Sequence, residues 1–176
     1  MYWLISGFLA FGIYCAWRAW PFMCALAPLR RIKQMKQALA AAKKCYANGE
    51  MKRAADLAGM GLSLAGSPQD PSNCEKQRIG SKLAVVASQA FFRLNQFQLA
   101  ELMAHKAVLR DGANPFAHEA LGLALSRCWK MDGARASFAL GLKIARESKP
   151  ANSAAEKRMS QQLVWLGEYE STLAAA

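Results

Sequence analysis

The sequence predicts an all-α fold in which a hydrophobic N-terminal helix precedes about three antiparallel helix pairs and a C-terminal capping helix. Three observations support this prediction. Residues 3–20 carry a single charge, three later segments have the apolar pattern of two helices joined by a turn, and small residues recur 34 positions apart in the second and third of these segments. Such a fixed interval between equivalent positions is typical of helical repeats.

Residues 1–29 are predicted to form a membrane anchor, with a transmembrane helix over about 3–20. A helix of that length spans about 27 Å at ~1.5 Å per residue, close to the ~30 Å hydrocarbon core. Tyr and Trp residues stand at both ends, as they do at membrane interfaces. A buried helix of a soluble domain is the other possibility. A cleaved signal peptide would need basic residues before Arg18, and there are none.

A basic cluster follows the anchor immediately and consists of Arg30, Arg31, Lys33 and Lys36. By the positive-inside rule these residues place the C-terminal domain on the cytoplasmic side of a bacterial inner membrane, or its organellar equivalent. They would also attract anionic lipid headgroups, by ~1 kcal/mol per basic residue. The alternative is a peripheral lipid-binding protein whose basic amphipathic N-terminus, residues 1–36, lies in the membrane interface.

The formal charge of +11 is unevenly distributed along the chain. Of the 23 basic residues, seven precede the first acidic residue, Glu50, which leaves 16 basic against 12 acidic residues and a balance of +4. A nucleic-acid-binding domain would need its basic surplus on the folded repeats. The sequence therefore predicts no nucleic-acid partner.

The segment 115–148 contains the clearest helix–turn–helix pattern. Leu121 and Gly122 stand on its first helix, and Ala134 and Phe138 stand on its second. Glycine and alanine allow two antiparallel helices to approach closely, and the larger apolar residues fill the space beside the contact. This segment is therefore predicted to be one helix pair of the repeat domain.

The spacing resembles the tetratricopeptide repeat (TPR), whose pattern is W-x2-L-G-x2-Y, then A-x3-F, then P. Leu121, Gly122, Ala134 and Phe138 match it, while His118 stands at the Trp position, Leu125 at the Tyr position, and the proline arrives at Pro150. The resemblance implies that residues 30–150 form a TPR-like α-solenoid, a fold that binds protein partners and seldom catalyses reactions.

Two further helix pairs are predicted upstream, at 32–66 and 81–112, with a polar loop at 67–80 between them. The first pair turns at Asn48-Gly49, and the second has Asn95 where the family usually has glycine. Ala100 and Ala134 are 34 residues apart, as are Ser88 and Gly122.

The last segment, 151–176, is predicted to be a capping helix from about Ser153 to Ala174. Its apolar side would cover the open face of the last repeat and includes Met159, Leu163, Trp165, Leu166 and Tyr169. Its outer, polar side would consist of Glu156, Lys157, Arg158, Gln161 and Gln162.

The sequence contains no motif that indicates an enzyme. It has no G-x-S-x-G, P-loop, H-E-x-x-H or dinucleotide fingerprint. His105 and His118 lie in different repeats, and neither has a cysteine or carboxylate at an interval that suggests a catalytic triad. We therefore predict a non-enzymatic protein without a metal or other cofactor.

Stacked helix pairs form a concave groove lined by the first helix of each pair. By the register of the TPR family, the groove residues would be Lys43, Tyr46, Gln89, Phe92, Arg93, Glu119, Leu123 and Arg127. The family's clamp for a terminal carboxylate is not expected, because Leu39 and Val85 occupy two of its polar positions.

The mixed apolar and basic groove predicts a partner segment that is amphipathic and acidic. A scaffold or adaptor that binds such a segment at the cytoplasmic membrane face would use a groove of this kind. The sequence thus favours an accessory or assembly subunit of a membrane protein complex.

Overall fold

The computed structural model describes residues 29–67, 74–148 and 153–174, with the side chains of the last helix described as far as Gly167. The chain divides into two compact units, Met1–Gln34 and Met35–Ala176. Of the first unit, residues 29–34 are described, and they are helical. The described part of the second unit is entirely α-helical apart from its turns.

The described residues form seven helices: α1 (29–47), α2 (Met51–Ala65), α3 (Cys74–Arg93), α4 (Phe97–Arg110), α5 (Pro115–Arg127), α6 (Met131–Glu147) and α7 (Ser153–Ala174). From α2 onward each helix packs against the next, and α3 also contacts α5 while α5 contacts α7. This order of contacts is that of an α-solenoid in which each pair touches its neighbours.

The turns within the three helix pairs share one geometry. Gly49, Asn95 and Trp129 all have positive φ values, 82°, 59° and 60° respectively. In each turn the next residue donates its backbone N–H to the carbonyl five positions earlier, at 2.9–3.0 Å. This is the long bond of a Schellman motif, which satisfies carbonyls left open at a helix end. The chain therefore repeats in structure where it repeats in sequence.

The close approach of α5 and α6 is centred on Gly122. A Cβ atom placed there would lie 2.7 Å from Cε1 of Phe138, so no larger residue fits without a shift. Phe138 and Ala134 are both fully buried. The ring of Phe138 thus occupies the space that the missing Cβ of Gly122 leaves free.

Two serine hydroxyls tie α3 to α4. Ser81 Oγ donates to the carbonyl oxygen of Ala107 at 2.9 Å, and Ser88 Oγ donates to that of Ala100 at 2.8 Å. Both serines are buried, where an unpaired hydroxyl would be costly. Asn114, the N-cap of α5, donates to Ser81 Oγ at 3.1 Å and so connects this pair to the next.

The predicted loop at 67–80 is wrong in its second half, because α3 begins at Cys74. The segment was predicted to be a loop because its composition is polar, but one of its polar side chains faces inward. Gln77 is buried, donates to the Ser67 carbonyl at 2.8 Å and accepts from Arg110 at 2.9 Å. Gly80, which was predicted to end the loop, lies inside this helix and is closely packed, since a Cβ there would stand 3.1 Å from Arg110 and 3.3 Å from Ala65. Burial in turn lowers the pKa of the Arg110 guanidinium.

The apolar core of the solenoid includes two clusters of different size. One cluster extends from α3 to α7 and includes Phe138, Met159 and Leu166. A separate, smaller cluster consists of Ala54, Ala55 and Ala90, with Cys45, Tyr46 and Phe91 against it. The buried residues of this smaller cluster are therefore all alanines.

Helix α7 has the predicted bounds, Ser153–Ala174, and packs on α6 and α5. Ala155, Met159 and Leu166 are buried, but Trp165, predicted on the apolar side, is 48% exposed. The apolar face of α7 that covers the repeats is therefore narrower than the sequence predicted.

No helix within the described ranges has the length and apolar character needed to cross a bilayer. The predicted span at 3–20, like the rest of the anchor up to residue 28, lies outside the described residues. Of the basic cluster, Arg30, Arg31 and Lys33 are exposed, and Lys36 forms an ion pair of 2.6 Å with Glu75.

Candidate functional site

A cavity of about 420 Å³ opens between the first helices of the three pairs and the capping helix. We call it the groove cavity. One residue of α1, four of α3, four of α5 and one of α7 line it: Tyr46, Ser88, Gln89, Phe92, Arg93, Phe116, Glu119, Ala120, Leu123 and Arg158. The stacking of equivalent helices thus brings distant parts of the sequence to one surface.

Six of the eight predicted groove residues line this cavity: Tyr46, Gln89, Phe92, Arg93, Glu119 and Leu123. The other two are placed differently. Lys43 is exposed on α1 outside the cavity lining, and Arg127 lines a neighbouring cavity at the turns. Val85, which the family register also directed inward, is buried in the core.

Glu119 is not a free groove carboxylate, because Arg158 of α7 holds it with two hydrogen bonds. Arg158 donates through Nε at 2.6 Å and through Nη2 at 2.9 Å. Glu119 is 7% exposed, and its hydrogen bond raises the pKa of Arg158. The guanidinium also lies 5.8 Å from the ring centroid of Phe116, a distance at which cation and ring attract.

Arg158, predicted on the outer, polar side of the cap, has a half-exposed side chain that also reaches Glu119 on α5. Arg158 lies three positions after the buried Ala155 and directly before the buried Met159, which places it beside the packed face of α7. That spacing was the available signal. An acidic partner on α5 could not be inferred from it.

Phe92 serves both the groove cavity and the packing of its own turn. Its ring contacts Phe97 edge-on, with centroids 5.5 Å apart. Arg127 lies over the same ring at 5.8 Å. The aromatic pair and Arg127 therefore form the boundary between the groove cavity and the cavity at the turns.

The second cavity, of about 690 Å³, lies at the α3–α4 and α5–α6 turns. We call it the turn-end cavity, and its lining residues are Asn95, Gln96, Phe97, Gln98, Leu99, Glu101, Arg127, Cys128, Trp129 and Lys130. The sequence prediction missed it. The available signal was a tryptophan at the turn position occupied by Gly49 and Asn95 in the earlier pairs.

An ion pair crosses the turn-end cavity from one repeat to the next. Lys130 donates to Glu101 at 2.6 Å. This hydrogen bond lowers the pKa of Glu101. Burial, followed by the hydrogen bond to Glu101, raises the pKa of the nearby Cys128 thiol, which disfavours the thiolate needed for nucleophilic chemistry.

Neither cavity offers an evident catalytic arrangement. The groove cavity has an apolar floor of Phe92, Phe116 and Leu123, with Arg93 exposed beside it. Across the described ranges no three His, Cys, Asp or Glu side chains are grouped so that they could hold a metal ion. The groove cavity is suited to holding a ligand by apolar contact and positive charge.

Comparison with solved structures identifies this architecture as that of TPR domains. The first TPR of Spaghetti (RPAP3), bound to an HSP90 peptide, is 21% identical, with 75% of this chain and 94% of that chain covered and a TM-score of 0.55. The Arabidopsis OM64 TPR domain is 22% identical, with 74% and 98% covered and a TM-score of 0.55.

The second TPR domain of human RPAP3, in complex with an HSP70 peptide, gives 19% identity, coverage of 76% and 98%, and a TM-score of 0.54. No protein-family model and no curated protein sequence matches this chain. The likeness in structure confirms the predicted TPR-like helical-repeat fold. Folds of this kind present extended concave surfaces for binding other proteins.

Proposed function

We propose that this chain is a membrane-anchored TPR-like adaptor that holds a protein partner in its groove cavity at the cytoplasmic membrane face. In this role it would be an accessory or assembly subunit of a membrane protein complex. The observation that carries the proposal is the groove cavity itself, to which the first helices of all three pairs contribute. Its volume of about 420 Å³ is in the range of ligand pockets, roughly 300–1,000 Å³.

The character of the partner segment follows from the lining. Phe92, Phe116 and Leu123 would accept apolar side chains, and the exposed guanidinium of Arg93 would pair with a carboxylate. Glu119 adds no competing negative charge, because Arg158 already neutralises it. The partner segment is therefore proposed to be amphipathic and acidic.

Two of the structural neighbours have acidic peptides bound, which supports a protein partner for this fold. The peptides named for two of them are SRMEEVD and SGPTIEEVD. Two of the positions at which the family would clamp a terminal carboxylate are here the half-buried Leu39 and the buried Val85. We therefore propose that this groove binds an internal acidic segment rather than a chain terminus.

A peptide-binding measurement on the full chain in mild detergent tests the groove. The probe is a short fluorescent peptide with leucine and phenylalanine between glutamates, followed by anisotropy. Arg93→Glu should weaken binding about tenfold, or ~1.4 kcal/mol, because it places a negative charge where the ligand is negative. Lys143→Glu is the matched control, since Lys143 is exposed on α6 away from the cavity. Equal affinities of the two variants would refute the groove proposal.

The anchor is proposed from the apolar residues 3–20 and the basic cluster after them, and alkaline carbonate extraction of membranes tests it. A spanning helix should stay in the membrane fraction at high pH, because its burial in hydrocarbon does not depend on charge. Release into the supernatant would instead support the peripheral lipid-binding alternative. A known integral membrane protein and a known peripheral one in the same membranes provide the two references.

A further inference from the structure

Trp129 occupies a backbone conformation that its residue type rarely adopts. The equivalent turn positions in the first two pairs carry Gly49 and Asn95, at φ values of 82° and 59°. Glycine has no Cβ penalty there, and asparagine is the side chain that tolerates this region best. A tryptophan at φ 60° is an outlier for a bulky side chain. Such outliers persist only where the surrounding structure fixes them, and they cluster at functional sites.

The same residue exposes most of its surface. Trp129 is 74% exposed, the highest value among the large apolar side chains of the described residues, and Leu99 across the cavity is 42% exposed. Both line the turn-end cavity with Phe97. Apolar surface concentrated around a concavity is typical of interaction sites, and tryptophan is enriched among the residues that dominate binding energy.

The charges around this apolar surface are unbalanced. Arg127, Lys130 and Glu101 all line the cavity. The carboxylate of Glu101 is already occupied, since Lys130 donates to it at 2.6 Å. The guanidinium of Arg127 lies over the Phe92 ring and is exposed. One positive charge therefore remains for a ligand at the edge of the apolar surface.

We propose that the turn-end cavity is a second docking site, which binds a large apolar side chain of an acidic protein segment between Trp129, Phe97 and Leu99. Arg127 pairs with a carboxylate of that segment. This inference goes beyond the groove function and does not depend on it, because the two cavities share no lining residue. The boundary formed by Phe92, Phe97 and Arg127 separates them.

Fluorine NMR of the full chain, labelled with 5-fluorotryptophan and purified in mild detergent, tests the proposal at the residue concerned. The chain has five tryptophans, and the Trp129 resonance is identified by its loss in Trp129→Phe. The probe is a short peptide with a Leu-Phe pair flanked by glutamates. It should shift the Trp129 resonance in a saturable manner and leave that of Trp165 unchanged, because Trp165 lies on α7 outside the cavity.

Three substitutions separate docking from folding. Trp129→Asn keeps a residue suited to the turn, so its melting temperature should equal or exceed that of the wild type. Its peptide affinity is measured in the Arg93→Glu background, where groove binding is weakened, and should fall by about tenfold or more, as for a hot-spot residue. Arg127→Glu should weaken binding of the acidic peptide. Trp165→Phe, the matched aromatic control, should not change affinity.

Two control peptides and one groove variant complete the test. A peptide with serines in place of Leu-Phe, and one with lysines in place of the glutamates, should both fail to shift the Trp129 resonance. In Arg93→Glu the Trp129 shift should persist even though groove binding is weakened, so failure of one site is distinguishable from failure of the other.

Several results would overturn the proposal. One is the absence of a saturable Trp129 shift, and another is an equal response to the lysine peptide. A Trp129 shift caused by dilution of the chain would assign this surface to a second copy of the chain. A shift caused by anionic phosphatidylserine vesicles, but not by the peptide, would assign it to lipid.

Discussion

At the scale of single residues, the helix contacts depend on positions where a methyl group does not fit. Gly122 is such a position, because its missing Cβ leaves room for the buried ring of Phe138. An aromatic ring moves as a rigid unit, so it cannot yield locally as a long flexible side chain can. The contact between α5 and α6 is therefore sensitive to the addition of a single methyl group at Gly122.

Substitution of Gly122 by alanine is expected to lower the free energy of unfolding by about 1–3 kcal/mol, the usual cost of overpacking a core. The matched control is Gly59→Ala on α2, where nothing lies within 4 Å of the added Cβ. There alanine should raise stability by up to ~1 kcal/mol through its higher helix propensity. Denaturation followed by far-UV circular dichroism measures both, and a loss at Gly59 as large as that at Gly122 would contradict the account.

Residue-level reasoning from sequence succeeded where one side chain has one role. Asn95 was recognised in the place of a turn glycine, and its φ is positive; Leu121, Gly122, Ala134 and Phe138 were recognised by their spacing. Such reasoning failed where a charged side chain on the surface also forms a contact within the fold. Arg158 was assigned to solvent because it is charged, whereas its partner Glu119 lies 39 positions away in the sequence.

At the scale of elements, the helices are joined by polar links that the hydrophobic pattern does not reveal. Arg110 on α4 donates to the Gly66 carbonyl after α2 at 2.6 Å and to Gln77 on α3 at 2.9 Å. Lys130 connects the α5–α6 turn to α4 through Glu101. The early start of α3 was missed for this reason, since its first turns are polar and satisfied by partners far along the chain.

The Glu101 link should give the stability of the domain a pH dependence. The folded chain lowers the pKa of Glu101 below its ordinary value of 4.5. The ionised form therefore stabilises the fold above that value, and the contribution is lost as pH falls through the lower, folded pKa. Glu101→Gln should reduce stability at neutral pH by less than about 1 kcal/mol, because Lys130 is largely exposed.

The measurement is urea denaturation of both chains from neutral pH to below 4.5. The difference between wild type and Glu101→Gln should shrink towards zero at the acidic end. Glu147→Gln, at an exposed position on α6, is the control for the exchange of a carboxylate for an amide. A difference that is constant with pH would show that the glutamine acts through packing and not through charge.

At the scale of the whole molecule, stability should increase from the first pair towards the cap. Repeat proteins are stabilised by each repeat and by its contacts with neighbours. The buried residues of α2 are alanines and a glycine, whereas the larger cluster from α3 to α7 contains Phe138, Met159 and Leu166. In the first pair the large buried apolar side chains are Ile32 and Met35 of α1, so α2 itself buries less apolar side-chain surface than α5 and α6 and gains less from the hydrophobic effect.

Hydrogen exchange measured by mass spectrometry should detect this gradient. Amides of α2 (Met51–Ala65) are expected to exchange faster than those of α5 and α6, by about tenfold in protection, or ~1.4 kcal/mol in opening free energy. Peptides from the same digestion provide the internal comparison. Uniform protection across the three pairs would mean that the solenoid opens as one cooperative unit.

The two serine bonds between α3 and α4 also determine how the domain deforms. Ser81 and Ser88 are two helical turns apart, and so are their acceptors, Ala107 and Ala100, so both bonds hold the same antiparallel register. A slip of one helix past the other by one turn, about 5.4 Å, would break both bonds at once inside the core. This pair therefore resists shear, and a ligand that widens the groove is expected to do so by hinge-like tilting of one pair against the next.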